Sequence, residues 1–147
     1  MERVRGMYQK ILLAVDGSEH ASRAAMRALY LVKELADSTI TICYVSKEGP
    51  TKAQLLESHF DVTSVLDQKA SKVIQASLEA FNREGVPYRL EVLWGEPAYE
   101  IVELSKNCGF DLIVMGSRGL GTFTGVFLGS VSQRVLQEAP CPVMIVK

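Results

Sequence analysis

Residues Ile11 to Val15 are apolar without interruption, so a strand there must be covered on both faces, as strands of parallel sheets are. Similar segments return along the chain, separated by longer stretches of helical spacing. Strands are predicted at Tyr8–Val15, Thr39–Val45, Tyr88–Leu93, Asp111–Met115 and Pro142–Val146. They are rich in β-branched and aliphatic residues. From Ser18 to about Asp37, Ala21, Ala25, Ala28, Val32 and Leu35 recur at helical spacing, with Arg23, Arg27 and Glu34 on the other side. Gly49-Pro50 marks a loop, and a long helix is expected from Gln54 to Glu84, broken near Ser58. Leu66, Ala70, Val73, Ile74 and Phe81 form its buried stripe; Gly85 and Pro87 end it. Pro97 suits the first turn of a helix that closes at Asn107–Gly109. The last helix covers Gly129–Glu138, with Val131, Val135 and Leu136 at helical spacing and Pro140 as its stop. Strict strand–helix alternation implies a parallel sheet with helices on both faces.

The chain of 147 residues reads as one domain, residues 1–147, with 1–7 as an N-terminal extension. Its net charge of −1, without a Lys/Arg cluster, argues against a broad nucleic-acid footprint. The apolar runs fall far short of the roughly 20 residues that span a bilayer. The opening MERVRG lacks the apolar core of a secretory leader, so a cytoplasmic location is expected. Cys43, Cys108 and Cys141 form an odd set without C-x-x-C spacing, which reads as reduced thiols.

Glycine distribution carries the functional information. Gly116, Gly119, Gly121, Gly125 and Gly129 follow one predicted strand and precede the last helix. In open parallel sheets ligands bind beyond the carboxyl ends of the strands. Glycines there allow close backbone approach, and free N–H groups at the next helix start attract anions. Ser130 adds a hydroxyl, and Ser132 offers a second. A loop that binds nothing is the alternative; its placement between strand and helix favours a phosphate site. No lysine lies between residues 107 and 146, which excludes a P-loop, and Thr124 breaks a G-x-G-x-x-G reading from Gly119.

What remains is Gly116-x2-Gly119-x9-Gly129-Ser130. With KILLAVDGSE (10–19), TICYV (41–45), Gly95-x-Pro97, FDLIVMGSRG (110–119), LGSVSQRVL (128–136) and CPVMIVK (141–147), the chain resembles the universal stress protein family, in its ATP-binding branch. The resemblance implies a three-layer, Rossmann-like α/β/α fold similar to the adenine nucleotide alpha hydrolases, with a five-stranded parallel sheet in order 3-2-1-4-5. It implies ATP (or ADP or AMP) over the strand tips; a divalent ion such as Mg²⁺ on the phosphates would help offset their crowded negative charge. Asp16 would contact the ribose, with Ala14 and Val15 lining that wall and the Val45 backbone meeting adenine. Met115 and Gly116 would lie beneath ribose and phosphates, with Gly119 and Arg118 beside them. Gly129, Ser130, Val131 and Ser132 would hold the polyphosphate. Ala14 stands where many relatives have proline, and Tyr44 where many have histidine. A homodimer through the last strand, using Val143 and Ile145, is also implied, and an apolar edge strand invites such pairing.

Micromolar binding requires about 8 kcal/mol, and hydrogen bonds to charged groups contribute about 1.5–3 kcal/mol each. Five or six of them with a buried adenine face suffice without a P-loop lysine. Turnover calls for a placed base, a cation and a held metal, whereas only Asp16 and Arg118 stand near the site. Binding with little or no hydrolysis is therefore expected; a slow ATPase and a ligand-free dimeric module are the alternatives. Other readings are plainer. Asp16 also suits a helix N-cap with Glu19 as its capping-box partner. His20 and His59 are expected in solvent, Cys141 in packing at a strand entry, and Trp94 in packing or on the surface.

Overall fold

The computed structural model describes residues 6–119 and 128–147. Five strands, β1 (Lys10–Ala14), β2 (Thr39–Ser46), β3 (Arg89–Trp94), β4 (Leu112–Gly116) and β5 (Val143–Val146), form one parallel sheet. Their order is β3-β2-β1-β4-β5. Among the described residues six helices accompany them: α1 (Glu19–Glu34), α2 (Lys52–Glu57), α3 (Val62–Val73), α4 (Gln75–Arg83), α5 (Pro97–Cys108) and α6 (Ser130–Glu138).

Strand pleating sorts the apolar residues into two layers. Ile11, Leu13, Ile40, Ile42 and Val114 face α1, α3 and α4, meeting Ala24, Ala28, Leu29, Ala70 and Phe81. Leu12, Ala14, Cys43, Ile113 and Met115 face α5 and α6, meeting Ala98, Ile101, Val102 and Val135. The uninterrupted apolar run of β1 thus fills both layers at once. Truncating a fully buried member such as Leu12 or Leu13 to alanine costs about 2–5 kcal/mol.

The expected helix from Gln54 to Glu84 is three helices. At Ser58–Asp61 the chain turns through His59 and Phe60, both in left-handed conformation at φ 54° and 63°. Asp61 then caps α3 by accepting the Ser64 N–H at 3.1 Å. Ile74, buried, separates α3 from α4. Val73 and Leu136, expected in buried stripes, are substantially exposed. In α6 the stripe runs instead through Ser132 and Val135. Several other helix ends are chemically specified: Thr51 and Gln54 form a capping box on α2. Glu96 accepts the Tyr99 N–H at 2.8 Å ahead of Pro97, and Gly109 closes α5 at φ 67°.

Candidate functional site

The site is built from the carboxyl ends of β1, β2 and β4 and from the start of α6. After β1, the turn Asp16-Gly17-Ser18 leads into α1. Ser18 caps the helix by accepting the Ala21 N–H at 3.1 Å. Asp16 does not cap it with Glu19: its Oδ1 accepts the Ser18 N–H at 2.9 Å. That bond fixes the carboxylate and leaves Oδ2 facing Gly119. A Cβ on Gly119 would stand 2.6 Å from Oδ2, so only glycine lets the segment after β4 pass this close to Asp16.

Ser117, the first residue beyond β4, ties four elements together. Its N–H donates to the Val146 carbonyl of β5 at 2.8 Å, and its carbonyl accepts the Gly129 N–H at 2.8 Å. Its hydroxyl meets His20 Nδ1 at 3.1 Å. His20 is therefore docked on the glycine segment rather than free in solvent. A Cβ on Gly116 would lie 2.8 Å from the His20 Cβ and 2.7 Å from its backbone carbon. Neither His20 nor Ser117 was legible as a site residue, since both contacts cross about a hundred positions of sequence. His59 is exposed, as expected.

Gly129 occupies the N-cap of α6 with φ −68° and ψ 162°, and among the described residues no side chain caps this helix. The first helical bond runs from the Gln133 N–H to the Gly129 carbonyl at 3.0 Å. The N–H groups of Ser130, Val131 and Ser132 precede it and have no acceptor within the helix. Together with the helix dipole they present partial positive charge. Among the described residues, a Cβ on Gly129 would come no nearer than 3.4 Å to a neighbour, the Arg118 Cα, so those neighbours do not demand glycine there. Ser130 is exposed, whereas the buried Ser132 donates its hydroxyl to the Gly116 carbonyl at 2.8 Å. The Ser132 side chain thus binds β4 to α6, leaving only its amide for the helix end.

Val45 is half-buried at the end of β2. The last rung from β1 is the Val15 N–H donating to the Cys43 carbonyl at 3.0 Å, while the Ser46 carbonyl accepts the Gly95 N–H at 2.8 Å on the β3 side. By the alternation of a parallel ladder, the Val45 amide and carbonyl turn toward the β1 side, where β1 has already given way to the Asp16 turn. Ala14 and Met115 pack in the layer beneath α5 and α6, and Val15 in the opposite one. Arg118 is exposed. Gly121 and Gly125 lie outside the described residues. Trp94 sits at the surface, 48% exposed, with its indole 3.2 Å from where a Cβ on Gly49 would be.

Burial raises the Tyr44 phenol above its ordinary pKa, the Asp16 charge pushes the same way and the Ser46 hydroxyl pulls back. Burial likewise pushes the Cys43 thiol up to about 12. All three cysteines are free. Among the described residues no group of three or more His, Cys, Asp or Glu could hold a metal, and no helix is long and apolar enough to cross a membrane.

The fold is that of a three-layer α/β/α protein with an open parallel sheet, a class in which ligands bind beyond the carboxyl ends of the strands. Residues 7–147 match the family model described as the universal stress protein family. A universal stress protein of Thermus aquaticus, encoded in a QAH/OAS sulfhydrylase 3′ region, is 39% identical, covering 96% of this chain and all of the relative. The structure of MJ0577, a universal stress protein of Methanocaldococcus jannaschii, superposes with a TM-score of 0.76 at 27% identity, covering 97% of each chain. A universal stress protein in complex with cAMP superposes at 0.71 with 26% identity, covering 97% of this chain and 99% of its own. The chain belongs to the universal stress protein family.

Proposed function

We propose that the protein is a nucleotide-responsive regulatory module of stress response that binds ATP, ADP or AMP with little or no turnover. The observation that carries this reading is the glycine N-cap of α6: among the described residues no side chain caps its first three amides, and none crowds the place of a Gly129 Cβ. An anion is the natural complement of such a helix end. Asp16, fixed on the far side of Gly119, repels phosphate and suits ribose hydroxyls. The Val45 backbone, turned toward the β1 tip, suits the donor–acceptor edge of adenine. Ala14, Val15, Met115 and Gly116 form the floor beneath, and Arg118 stands free to reach a phosphate. The adenine-nucleotide preference is supported by the cAMP complex of a relative. Mg²⁺, when bound, would neutralise phosphate charge; the phosphates themselves supply its oxygen ligands, as is usual for this ion.

Isothermal titration with ATP and Mg²⁺ tests the reading, with micromolar affinity expected and no heat at millimolar ATP as the contrary result. Phosphate release above an Asp16→Ala control would favour the slow ATPase instead. Free cysteines suit the reducing cytoplasm. β5 is a sheet edge whose Val143 and Ile145 are only partly covered, and we place a homodimer there. Sedimentation at tens of micromolar is expected to give a dimer for the native chain and a monomer for Ile145→Glu.

A further inference from the structure

Helix α3 is seated on the strand tips at two points one helical turn apart. At the first, Lys69 Nζ donates to Ser46 Oγ at 2.7 Å. At the second, a Cβ on Gly17 would lie 2.8 Å from the Val73 carbonyl oxygen and 2.9 Å from its Cγ1, and Gly17 itself has φ +86°. The helix therefore rests both on the turn after β1 and on the residue after Val45.

Ser46 is 2% exposed, and its hydroxyl is fully used. It donates to the Glu48 carbonyl at 2.7 Å and accepts from the Glu48 N–H at 3.3 Å and from Lys69. Lys69 is half-buried, and among the described residues it enters no ion pair. An ammonium carries three donors, and the serine takes one. A half-buried cation held by a neutral hydroxyl, with two donors left over, is complemented by acceptor atoms from outside. Asp16, Tyr44, Ser46 and Lys69 follow one another round the tips of β1 and β2 as carboxylate, phenol, hydroxyl and ammonium.

We propose that Lys69 is a further ligand contact of the nucleotide site, donating to acceptor atoms of the nucleoside rather than to the phosphates. This rests on the nucleotide reading given above. Position decides which end is served. Lys69 is anchored at β2, beside Val45, whereas the amides of α6 lie beyond β4. Those strands are two spacings apart, roughly 10 Å, and the lysine side chain is already committed to Ser46. Its ligand class is a purine nucleoside, with or without phosphates.

Acetylation of Lys69 by an N-hydroxysuccinimide ester, read by peptide mass spectrometry on the native protein, tests this. Saturating adenosine and saturating ATP are each expected to slow it at least about fivefold. Lys69→Met is expected to weaken adenosine and ATP by the same factor, about tenfold, with the melting temperature lowered slightly by loss of the Ser46 bond, and Lys69→Arg to restore most of the lost affinity. Undiminished acetylation, native affinity in Lys69→Met, or a loss confined to ATP would overturn the assignment. So would native protein that binds ATP but not millimolar adenosine. Native protein that binds neither removes the nucleotide reading, and this one with it; native binding with an indifferent Lys69 removes only the role of Lys69.

Discussion

Asp16 Oδ2 lies 2.6 Å from the place a Cβ on Gly119 would occupy. One oxygen is tied to the turn by the Ser18 N–H at 2.9 Å, so the other cannot retreat without breaking that bond. Gly119→Ala must then move either the acid or the segment after β4. Overpacking of this kind costs about 1–3 kcal/mol. The expected outcome is a melting temperature lower by several degrees together with a loss of ATP affinity of at least tenfold. Calorimetry and a thermal-shift series measure the two separately, and Asp16→Ala in the same background, which removes the crowding oxygen, is expected to recover part of the stability.

Gly129 supports a sharper prediction, because stability and binding should move in opposite directions. An aspartate at an N-cap is better than glycine by only a few tenths of a kcal/mol, and none of the described residues crowds its Cβ. Gly129→Asp is expected to hold or slightly raise the melting temperature. Its carboxylate would cover the amides of the first turn of α6 and repel polyphosphate, so ATP affinity should fall at least tenfold. Adenosine, which brings no phosphate, should bind as before. Equal ATP affinity in this variant would count against the helix end as the phosphate seat.

Much of the architecture was legible because both layers of the core are written into continuous apolar strands and helically spaced alanines. The five strands stand where the sequence places them. The division of residues 54–84 was not legible at Ile74, which carries no glycine or proline and ends α3 while its side chain stays in the core. Nor was the pairing of His20 with Ser117, or of Lys69 with Ser46, since both are made by tertiary packing between elements far apart in the chain. Local pattern reports which face is buried; it does not report which polar side chain reaches across.

Ser130 and Ser132 sit two residues apart at the same helix end, yet their hydroxyls face different tasks. Ser132 is 3% exposed and donates to the Gly116 carbonyl at 2.8 Å. Ser132→Ala removes that donor and leaves a buried carbonyl short of a partner, which costs about 1–3 kcal/mol. Chemical denaturation should report that loss, with ATP affinity falling only modestly. Ser130 is exposed, so Ser130→Ala should leave the denaturation midpoint within error and lower ATP affinity several-fold. The crossed pattern of the two variants separates the hydroxyl that holds the fold from the one that is free for a ligand.

Cys43 gives a pH dependence whose sign can be worked out. Its thiol lies in the layer beneath α5, and burial, with smaller contributions from Glu91 and Glu100, raises it to about 12. In the unfolded chain the thiol ionises near an ordinary value of about 8.5. Below that pH both states hold the proton, and the group does not alter stability. Above it the unfolded chain loses the proton while the folded protein keeps it, so stability falls as pH rises, by at most about 1.4 kcal/mol per unit, until the folded thiol itself ionises. Urea denaturation between pH 8 and pH 11 should show a steeper decline for the native chain than for Cys43→Ala, about one proton's worth per unit. Thiol titration at pH 8 gives the complementary reading. Exposed Cys108 should react at once, half-buried Cys141 slowly because burial raises its pKa too, and Cys43 only on unfolding. Rapid modification of Cys43 in the folded protein would mean that the sheet opens beneath α5 far more readily than its packing implies.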